Sequence, residues 1–289
     1  MSKRGITPHT EHVLEDKMKK NLALLIAASV CVIFATSLSA TNADEVVMKM
    51  IDAHGGFDRW EKAEAVQFRH FLWVGDDPDI WESLETVEQG RRRAYQDWPR
   101  DEARVGFDGE KTWSTNWKRG NPPSFMVHLS YYFLNLPWLT QDEGVKLTLD
   151  ENATLPGGDE KEYITVTMTF DAGVGDTPDD YYKIFIDPDT YQMKATEFVV
   201  THAAVLDLFN VPADVKFLGP ITHVYGDLGT FDGLVIPTTY TSYAPNGDVY
   251  GNHRVEDISF SVKFEESMAQ IPEGAIIDTS DAKKRASAD

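Results

Sequence analysis

The sequence predicts a mainly β (α+β) protein: a single strongly curved antiparallel sheet that forms an unclosed β-barrel, with helices covering the concave face. Three observations predict this fold. Most of the chain alternates apolar and polar residues with the period of two that is typical of strands. Short turn sequences separate these runs, as they do in antiparallel hairpins. One segment, residues 125–139, is apolar nearly all round, so it must be buried or contact a ligand.

The first 43 residues have the pattern of a secretory signal peptide and not that of a domain. Basic residues precede the apolar run 22–34, and small residues follow it. The run is shorter than the roughly 20 apolar residues that a spanning helix needs. We expect cleavage after Ala40 or Ala43, with Met18 as an alternative start of the chain. The sequence therefore predicts an exported protein whose mature chain has no transmembrane segment.

Cysteine content and charge exclude several classes of function. Cys31 is the only cysteine, and it lies inside the apolar run. A lipid anchor at Cys31 is one alternative, but the bulky residues around it favour a plain signal peptide. Without a cysteine, the mature chain has no disulfide, thiol nucleophile or thiolate metal site. The whole chain carries a net charge of −20, which disfavours binding to nucleic acid or to anionic membrane surfaces.

One helix opens the predicted domain, which covers residues 44–277. Asn42 and Glu45 have the spacing of a capping box, and apolar residues recur at helical spacing over 46–54. Gly55-Gly56 supplies a left-handed stop. Residues 278–289 form a polar tail.

After this helix the period changes to two, and turn sequences separate the strands. Asp108-Gly109 is predicted to form a two-residue hairpin turn, and Asp187-Pro188 and Asp232-Gly233 mark two further turns. The connection 203–218 has no clear assignment. The predicted strands are 66–74, 80–88, 91–98, 104–107, 111–116, 145–150, 163–170, 181–186, 192–202, 221–228, 235–243 and 250–260.

The apolar segment 125–139 interrupts the strand pattern. Pro122 or Pro123 suits a helix start, and Pro137 is predicted to end the helix. This segment and the first helix are the pieces apolar enough to cover the inner face of a curved sheet. A concave sheet with such a cover is a natural ligand site.

Polar residues give no catalytic or metal-binding pattern, so the sequence predicts no catalytic residue, no metal and no cofactor. His54 ends the first helix, where the helix dipole favours a cation and a stabilising role. An alternative is a general base, but no nucleophile elbow accompanies it. Four other histidines lie on or next to predicted strands and could converge across the sheet, although none has metal-ligand spacing. They are His70, His202, His223 and His253.

Large aromatic residues cluster in the first half of the mature chain. Most suit a core, but those in an apolar cover helix also suit contact with a lipid-sized ligand. The predicted ligand-contacting residues are Trp60, Phe68, Trp73, Trp81, Trp113, Phe125, Tyr132, Phe133 and Trp138.

Several motifs resemble an uncharacterised family of exported bacterial proteins that is similar to the periplasmic lipoprotein carriers LolA and LolB. They are 52–60 (DAHGGFDRW), 107–113 (FDGEKTW), 131–138 (YYFLNLPW) and 182–190 (YKIFIDPDT). The resemblance implies an unclosed barrel with helices in its concave side, which binds acyl chains and has no catalytic residues. Within these motifs the expected structural residues are His54, Gly55, Gly56, Asp108, Gly109, Asp187 and Pro188.

The resulting hypothesis is a non-enzymatic, monomeric periplasmic carrier of a hydrophobic small molecule or acyl chain, with an envelope protein as a further partner and no nucleic acid. One alternative is an exported interaction or sensor module without lipid. Another is a hydrolase or metal enzyme centred on His54. A connected apolar cavity favours the carrier, whereas a solid core favours the interaction module.

Overall fold

The computed structural model describes residues 42–280, apart from residues 77–78, 157, 159, 173 and 175–176. The predicted signal peptide up to residue 41, with Met18 and Cys31, lies outside the described residues, as do residues 281–289 of the predicted tail. Within the described ranges, none of the helices has the length and apolar character that crossing a bilayer requires.

The described residues form six helices and fifteen strands. The helices are α1 (Ala43–Ala53), α2 (Phe57–Glu61), α3 (Pro123–Met126), α4 (Leu129–Leu139), α5 (Ala203–Leu208) and α6 (Glu266–Ala269). The strands are β1 (Ala65–Trp73), β2 (Trp81–Glu88), β3 (Ala94–Trp98), β4 (Ala103–Phe107), β5 (Thr112–Thr115), β6 (Val145–Leu149), β7 (Ile164–Phe170), β8 (Tyr182–Ile186), β9 (Met193–Val200), β10 (Leu218–Tyr225), β11 (Leu228–Phe231), β12 (Leu234–Pro237), β13 (Thr239–Tyr243), β14 (Val249–Val262) and β15 (Ile276–Ile277).

Thirteen strands form one antiparallel sheet in the order β15-β5-β4-β3-β2-β1-β14-β13-β10-β9-β8-β7-β6. The two end strands, β15 and β6, do not pair with each other, so the sheet is not closed. The predicted mainly β fold with one large unclosed antiparallel sheet is confirmed. Strands β11 and β12 form a separate hairpin at Asp232-Gly233, where both residues have positive φ angles (51° and 83°), as a tight hairpin turn requires.

Two predicted strands, 221–228 and 235–243, are each interrupted in the structure. The chain leaves the large sheet after Tyr225 to form the β11–β12 hairpin, and it rejoins the sheet at Thr239. At the junction, the backbone N–H of Thr238 donates to the Asp227 carbonyl, and the N–H of Val255 in β14 donates to the Thr238 carbonyl. These bonds satisfy the backbone where the two strands break.

The helical insert, defined as residues 123–139, contacts strands that are far apart in the sheet. The side-chain amide of Gln96 in β3 donates to the carbonyl of Met126 at 3.0 Å. The ring of Tyr132 packs on Tyr182 of β8, with centroids 5.0 Å apart. Strands β3 and β8 are seven positions apart, roughly 34 Å in a flat sheet, whereas an 11-residue helix such as α4 is only about 16 Å long. The sheet therefore bends around the insert, and the helices lie on its concave side.

Helix α1 joins the insert in covering this face. Asn42 caps it by accepting the Glu45 N–H at 2.7 Å, so the helix begins earlier than the predicted 46–54. It ends at the predicted glycine pair, since Gly55 and Gly56 have φ angles of 105° and 88°. Its buried residues, such as Met50, share one core with the insert and with strands of both halves of the sheet.

The prediction that Pro137 ends the helix is wrong, since α4 continues to Leu139. A proline inside a helix has no N–H for the carbonyl four residues earlier, which here belongs to Phe133. The Tyr225 hydroxyl of β10 donates to this carbonyl at 3.2 Å. A side chain from the sheet thus supplies the hydrogen bond that the helix lacks.

The predicted two-residue turn at Asp108-Gly109 is instead a four-residue connection, residues 108–111, between β4 and β5. The Asp108 carboxylate accepts the backbone N–H groups of Glu110 and Lys111 at 2.8 and 2.7 Å. Gly109 has a φ of 106°. The aspartate side chain therefore organises a longer turn than the sequence pattern indicated.

The turn at Asp187-Pro188 is built in the same way. One oxygen of the Asp187 carboxylate accepts the N–H groups of Asp189 and Thr190 at 2.9 and 3.1 Å. The other oxygen accepts from the Lys161 ammonium at 2.9 Å. At the C-terminal end, Asp278 is bonded to the fold, because its carboxylate accepts the Ser124 N–H at 2.7 Å.

Candidate ligand cavity

A cavity of about 490 Å³ separates one side of the helical insert from the curved sheet. Its volume lies within the range of roughly 300–1,000 Å³ that is typical of small-molecule sites. Phe125, Leu129 and Phe133 of the insert form one wall, and Phe198 and Ile221 of strands β9 and β10 lie opposite. The insert therefore covers the hollow of the sheet without filling it.

Apolar side chains surround the mouth of the cavity. Val74, Val249 and Tyr250 line the cavity and are 52%, 48% and 47% exposed. Phe209, just after α5, lines it too and is 47% exposed. An exposed group of apolar residues at an opening gives an apolar molecule a continuous path from the surface to the interior.

Four of the nine aromatic residues predicted to contact a ligand line the cavity. Trp73 ends β1 and Trp81 begins β2, so both lie near the mouth, while Phe125 and Phe133 come from the insert. Trp98 of β3 also lines the cavity and packs edge-on against Trp81 at 6.2 Å. That these side chains contact a ligand stays a prediction.

The other five predicted residues are not in the lining. Trp60 and Trp138 stack on each other with centroids 5.9 Å apart, and the Trp60 indole donates to Asn135 at 2.8 Å. Phe68 is fully buried in the main core. Trp113 is buried 6.3 Å from the ring of Tyr95. Tyr132 packs on Tyr182 and is part of the same core as Trp138.

The inner end of the cavity, which we call the polar floor, carries hydrogen-bonding side chains. Its members all line the cavity and are buried: His70, Ser83, Ser130, His223, Tyr240, Ser242 and His253. The register of the sheet brings them together, because His70 pairs with Ser83, Tyr240 with His253, and His223 with Ser242 across neighbouring strands.

A continuous hydrogen-bond network connects five of these side chains, namely His70, Ser130, Tyr240, Ser242 and His253. The Ser130 hydroxyl lies 3.1 Å from His70 Nδ1, and His70 Nε2 lies 3.0 Å from His253 Nδ1. His70 Nε2 is also 3.1 Å from the Tyr240 hydroxyl, and His253 Nε2 is 2.8 Å from the Ser242 hydroxyl. The insert, through Ser130, is thus bonded to strands β1, β13 and β14 through one buried network.

Glu85 lies behind the floor and anchors the network to the core. Its carboxyl group accepts from the Ser83 hydroxyl at 2.7 Å and from the Gln96 amide at 3.0 Å. Burial raises the pKa of Glu85 to about 7, and the hydrogen bonds from Ser83, Ser130 and Gln96 only partly oppose that rise.

The histidines of the floor are neutral at physiological pH. Burial lowers the pKa of His70 to about 4, and burial together with the nearby His70 lowers the pKa of His223 to about 3. Burial also lowers the pKa of His253, and the two neighbouring histidines add to that effect. The floor is therefore polar without being cationic.

Three of the four histidines singled out in the sequence thus converge, and the fourth does not. His202 precedes α5 and packs edge-on against Phe125 at 5.6 Å. Within the described ranges, no group of three or more histidine, cysteine or acidic side chains is arranged to hold a metal ion. The convergence produces a hydrogen-bond network at the end of an apolar cavity.

His54 has a different environment from the one expected of a cation at a helix end. Its Nδ1 lies 2.8 Å from the Val235 carbonyl, and its Nε2 accepts the Met193 N–H at 3.0 Å. An accepting Nε2 carries no proton, so the ring is neutral, and burial lowers its pKa to about 4. The cationic role predicted for His54 is therefore wrong. Both nitrogens are engaged by backbone groups, which makes His54 a link between α1, β9 and β12.

A guanidinium group lies at the mouth. Arg119 lies 4.9 Å from the ring of Trp81, and it pairs with Asp79 at 2.9 Å and Asp101 at 2.8 Å. Asp79 lines the cavity, whereas Arg119 is not in the lining. The charge of Arg119 is thus balanced by two carboxylates, of which Asp79 belongs to the lining.

The fold and the cavity define a class of protein: a half-open antiparallel barrel, covered by helices, that encloses an apolar cavity with a polar floor. Among solved structures, the chain is similar to a LolA superfamily protein from Nitrosomonas europaea. The two share 12% identity with a TM-score of 0.50, over 80% of this chain and 99% of that one. The predicted resemblance in fold to LolA and LolB is thereby confirmed.

The chain is also similar to a DUF1329 family protein from Desulfovibrio piger, at 9% identity and a TM-score of 0.47, over 79% of this chain and 97% of that one. This second likeness is weaker than the first. No protein-family model matches the chain, and no curated protein matches it. At these identities the likeness concerns the fold alone.

Proposed function

We propose that this protein is a non-enzymatic periplasmic carrier or binding protein for a hydrophobic ligand, such as a lipid or an acyl chain. The observation that carries the proposal is the cavity of about 490 Å³ between the insert and the sheet. Its walls are mostly apolar and its mouth is bordered by exposed apolar residues. Buried apolar surface favours binding by roughly 25 cal/mol per Å² removed from water.

Two further observations support this proposal. The signal-peptide pattern of residues 1–43 favours export, where acyl chains of envelope lipids need a protein to cross the aqueous compartment. Backbone groups bond to both ring nitrogens of His54, so neither nitrogen is available to a substrate. This arrangement does not favour an enzyme centred on His54. We also propose that the carrier acts as a monomer and meets an envelope protein when it loads or releases its ligand.

The first test is the identification of bound lipid. Protein purified from its own host is analysed by native mass spectrometry and by solvent extraction, and we expect a co-purified lipid. The delipidated protein is then titrated with N-phenyl-1-naphthylamine, an apolar fluorescent probe, and saturable binding is expected.

A pair of matched variants locates the bound probe. Val200 lines the cavity, whereas Val215 is exposed and outside it. Val200→Trp fills part of the cavity and should weaken probe binding about tenfold or more, while Val215→Trp should leave it unchanged. Equal affinities in the two variants, or a wild-type protein that binds neither lipid nor probe, would contradict the carrier and favour an interaction module.

A further inference from the structure

The polar floor makes the cavity strongly asymmetric along its length. Its mouth and walls are built mainly from apolar side chains, while its inner end carries the hydroxyl and imidazole groups of the floor. A purely apolar ligand would leave these groups facing hydrocarbon, which costs free energy for each polar group without a partner. The asymmetry suits a ligand with an apolar tail and a polar head that enters first.

One floor residue has an unused hydrogen-bonding atom. His223 lines the cavity, is 6% exposed, and is packed between the rings of Phe133 at 4.3 Å and Phe198 at 4.8 Å. Its Nδ1 is buried and has no hydrogen-bond partner among the described residues. An unsatisfied buried nitrogen is destabilising, and a ligand group that bonds to it would gain that free energy back.

No side chain in the lining can neutralise an anionic head. Among the described residues that line the cavity, none is lysine or arginine, and the acidic Asp79 lies at the mouth. The neighbouring Arg119 is not in the lining, and it is already paired with the carboxylates of Asp79 and Asp101. A carboxylate or phosphate on the floor would therefore be a buried charge without a counter-ion, which is strongly unfavourable.

A cationic head is disfavoured for a related reason. The nearest buried acid, Glu85, lies behind Ser83 and is itself absent from the lining. Its oxygens already accept from Ser83 and Gln96. The pKa of Glu85 is raised to about 7 by burial, so the carboxyl group is partly protonated at neutral pH. An ammonium group on the floor would meet neutral imidazoles and hydroxyls instead of an accessible carboxylate.

We propose that the cavity selects an amphiphile with an apolar tail and an uncharged head that both donates and accepts hydrogen bonds, such as a hydroxyl or amide, seated on the polar floor against His223, Ser242 and Tyr240. This inference rests on the proposed function and adds the class of ligand. A hydroxyl can donate one hydrogen bond and accept another, so it can bond to an imidazole nitrogen and to a hydroxyl group of the floor at the same time.

The test compares three amphiphiles with the same twelve-carbon tail in displacing N-phenyl-1-naphthylamine near neutral pH and below their aggregation concentrations. Monolauroylglycerol has an uncharged head with hydroxyl groups, laurate is an anion, and dodecylamine is a cation. We expect monolauroylglycerol to bind about tenfold or more tightly than either charged amphiphile, because no lining group compensates a buried charge.

Variants of the floor connect this preference to named residues. His223→Phe keeps the aromatic packing and removes the free nitrogen, so the preference for monolauroylglycerol should fall about fivefold or more while the probe binds as before. Ser242→Ala, which removes a floor hydroxyl, should also reduce the preference and serves if His223→Phe does not fold. Val205→Ala is the matched control, since it alters only an apolar wall and should weaken all ligands by a similar factor.

The outcomes separate the two proposals. If the probe binds but laurate or dodecylamine binds as tightly as monolauroylglycerol, the uncharged-head inference is overturned and the carrier stands. If neither floor variant changes the preference, the inference is also overturned. If neither the probe nor any amphiphile binds, the carrier proposal fails, and the inference fails with it.

Discussion

The Tyr225 hydroxyl of β10 donates to the Phe133 carbonyl of α4 at 3.2 Å, and that carbonyl is the acceptor that Pro137 deprives of its helical donor. Phe133 is also part of the cavity wall, where it packs on Phe198 and His223. The sheet therefore compensates for the proline at the residue that shapes the cavity.

Tyr225→Phe should destabilise the protein by about 1–3 kcal/mol, because it leaves a buried carbonyl without a donor. Urea unfolding followed by far-UV circular dichroism measures the change. In the background of Pro137→Ala, the restored backbone N–H can bond to the Phe133 carbonyl, so Tyr225→Phe should cost clearly less there. An identical cost in both backgrounds would show that Tyr225 does not act through this carbonyl.

Gly55 and Gly56 offer a matched pair for testing the end of α1. Both have positive φ angles, but a Cβ at Gly55 would lie 2.3 Å from the Gly233 carbonyl oxygen, whereas a Cβ at Gly56 meets nothing within 4 Å. Gly56→Ala should cost about 1–3 kcal/mol for its backbone conformation alone, because its φ of 88° and ψ of 153° lie in a region that essentially only glycine adopts. Gly55→Ala should cost roughly 3 kcal/mol or more, because the backbone of the β11–β12 hairpin must also move. Similar urea midpoints for the two variants would contradict this close packing.

Buried neutral histidines make the fold sensitive to acid. His54, His70, His223 and His253 all have folded pKa values below the ordinary value near 6.5. Their contribution to the free energy of unfolding is fully present above pH 6.5 and is lost as the pH falls toward their folded pKa values. The folded pKa is about 4 for His54 and His70 and about 3 for His223. Each histidine can change the free energy of unfolding by at most about 1.4 kcal/mol per pH unit. We therefore expect urea midpoints to fall steeply between about pH 6.5 and 5.

Glu85 acts in the opposite direction. Its folded pKa is raised to about 7, so its contribution is present at low pH and is lost as pH rises toward 7. The effect of this one carboxyl group on the pH dependence of stability only partly offsets the effect of the four histidines. Glu85→Gln removes this opposing effect, so stability should fall more steeply as the pH is lowered. The control is Glu61→Gln, at an exposed position in α2, which should leave the change of stability with pH as it is in the wild-type protein. A flat stability profile in the wild-type protein would show that the histidines are not buried and neutral.

Local sequence patterns were sufficient for most of the strands, for the existence of the first helix and for the cover over the sheet, but not for the breaks in the predicted strands 221–228 and 235–243. Period-two alternation and turn residues depend on neighbours in sequence, so they appear directly in the chain. The same patterns failed at Pro137, because the compensating donor, Tyr225, lies far away in sequence on another element. They also failed at Asp108, where the side-chain bonds to Glu110 and Lys111 decide the length of the turn.

The polar floor could be predicted only in part. The strand positions of His70, His223 and His253 were visible, but their meeting depends on the order and register of β1, β10, β13 and β14. Strand order in a sheet of thirteen strands is a tertiary property that no local pattern fixes. For the same reason the sequence could not separate the aromatic residues that line the cavity from those of the core, such as Trp60 and Trp138. Both sets consist of the same types of residue.

Tryptophan quenching can separate these two sets of aromatic residues in solution. The chain has seven tryptophans, of which Trp73, Trp81 and Trp98 line the cavity, whereas Trp113 and Trp138 do not. A monoacylglycerol brominated along its acyl chain quenches indoles that it contacts, so its binding should reduce the fluorescence of the wild-type protein. Trp81→Phe should remove a clear part of this quenching, while Trp113→Phe should lower the total fluorescence but keep the quenched amount, because its indole is buried away from the cavity. Quenching lost equally in both variants would place the ligand outside the space between the insert and the sheet.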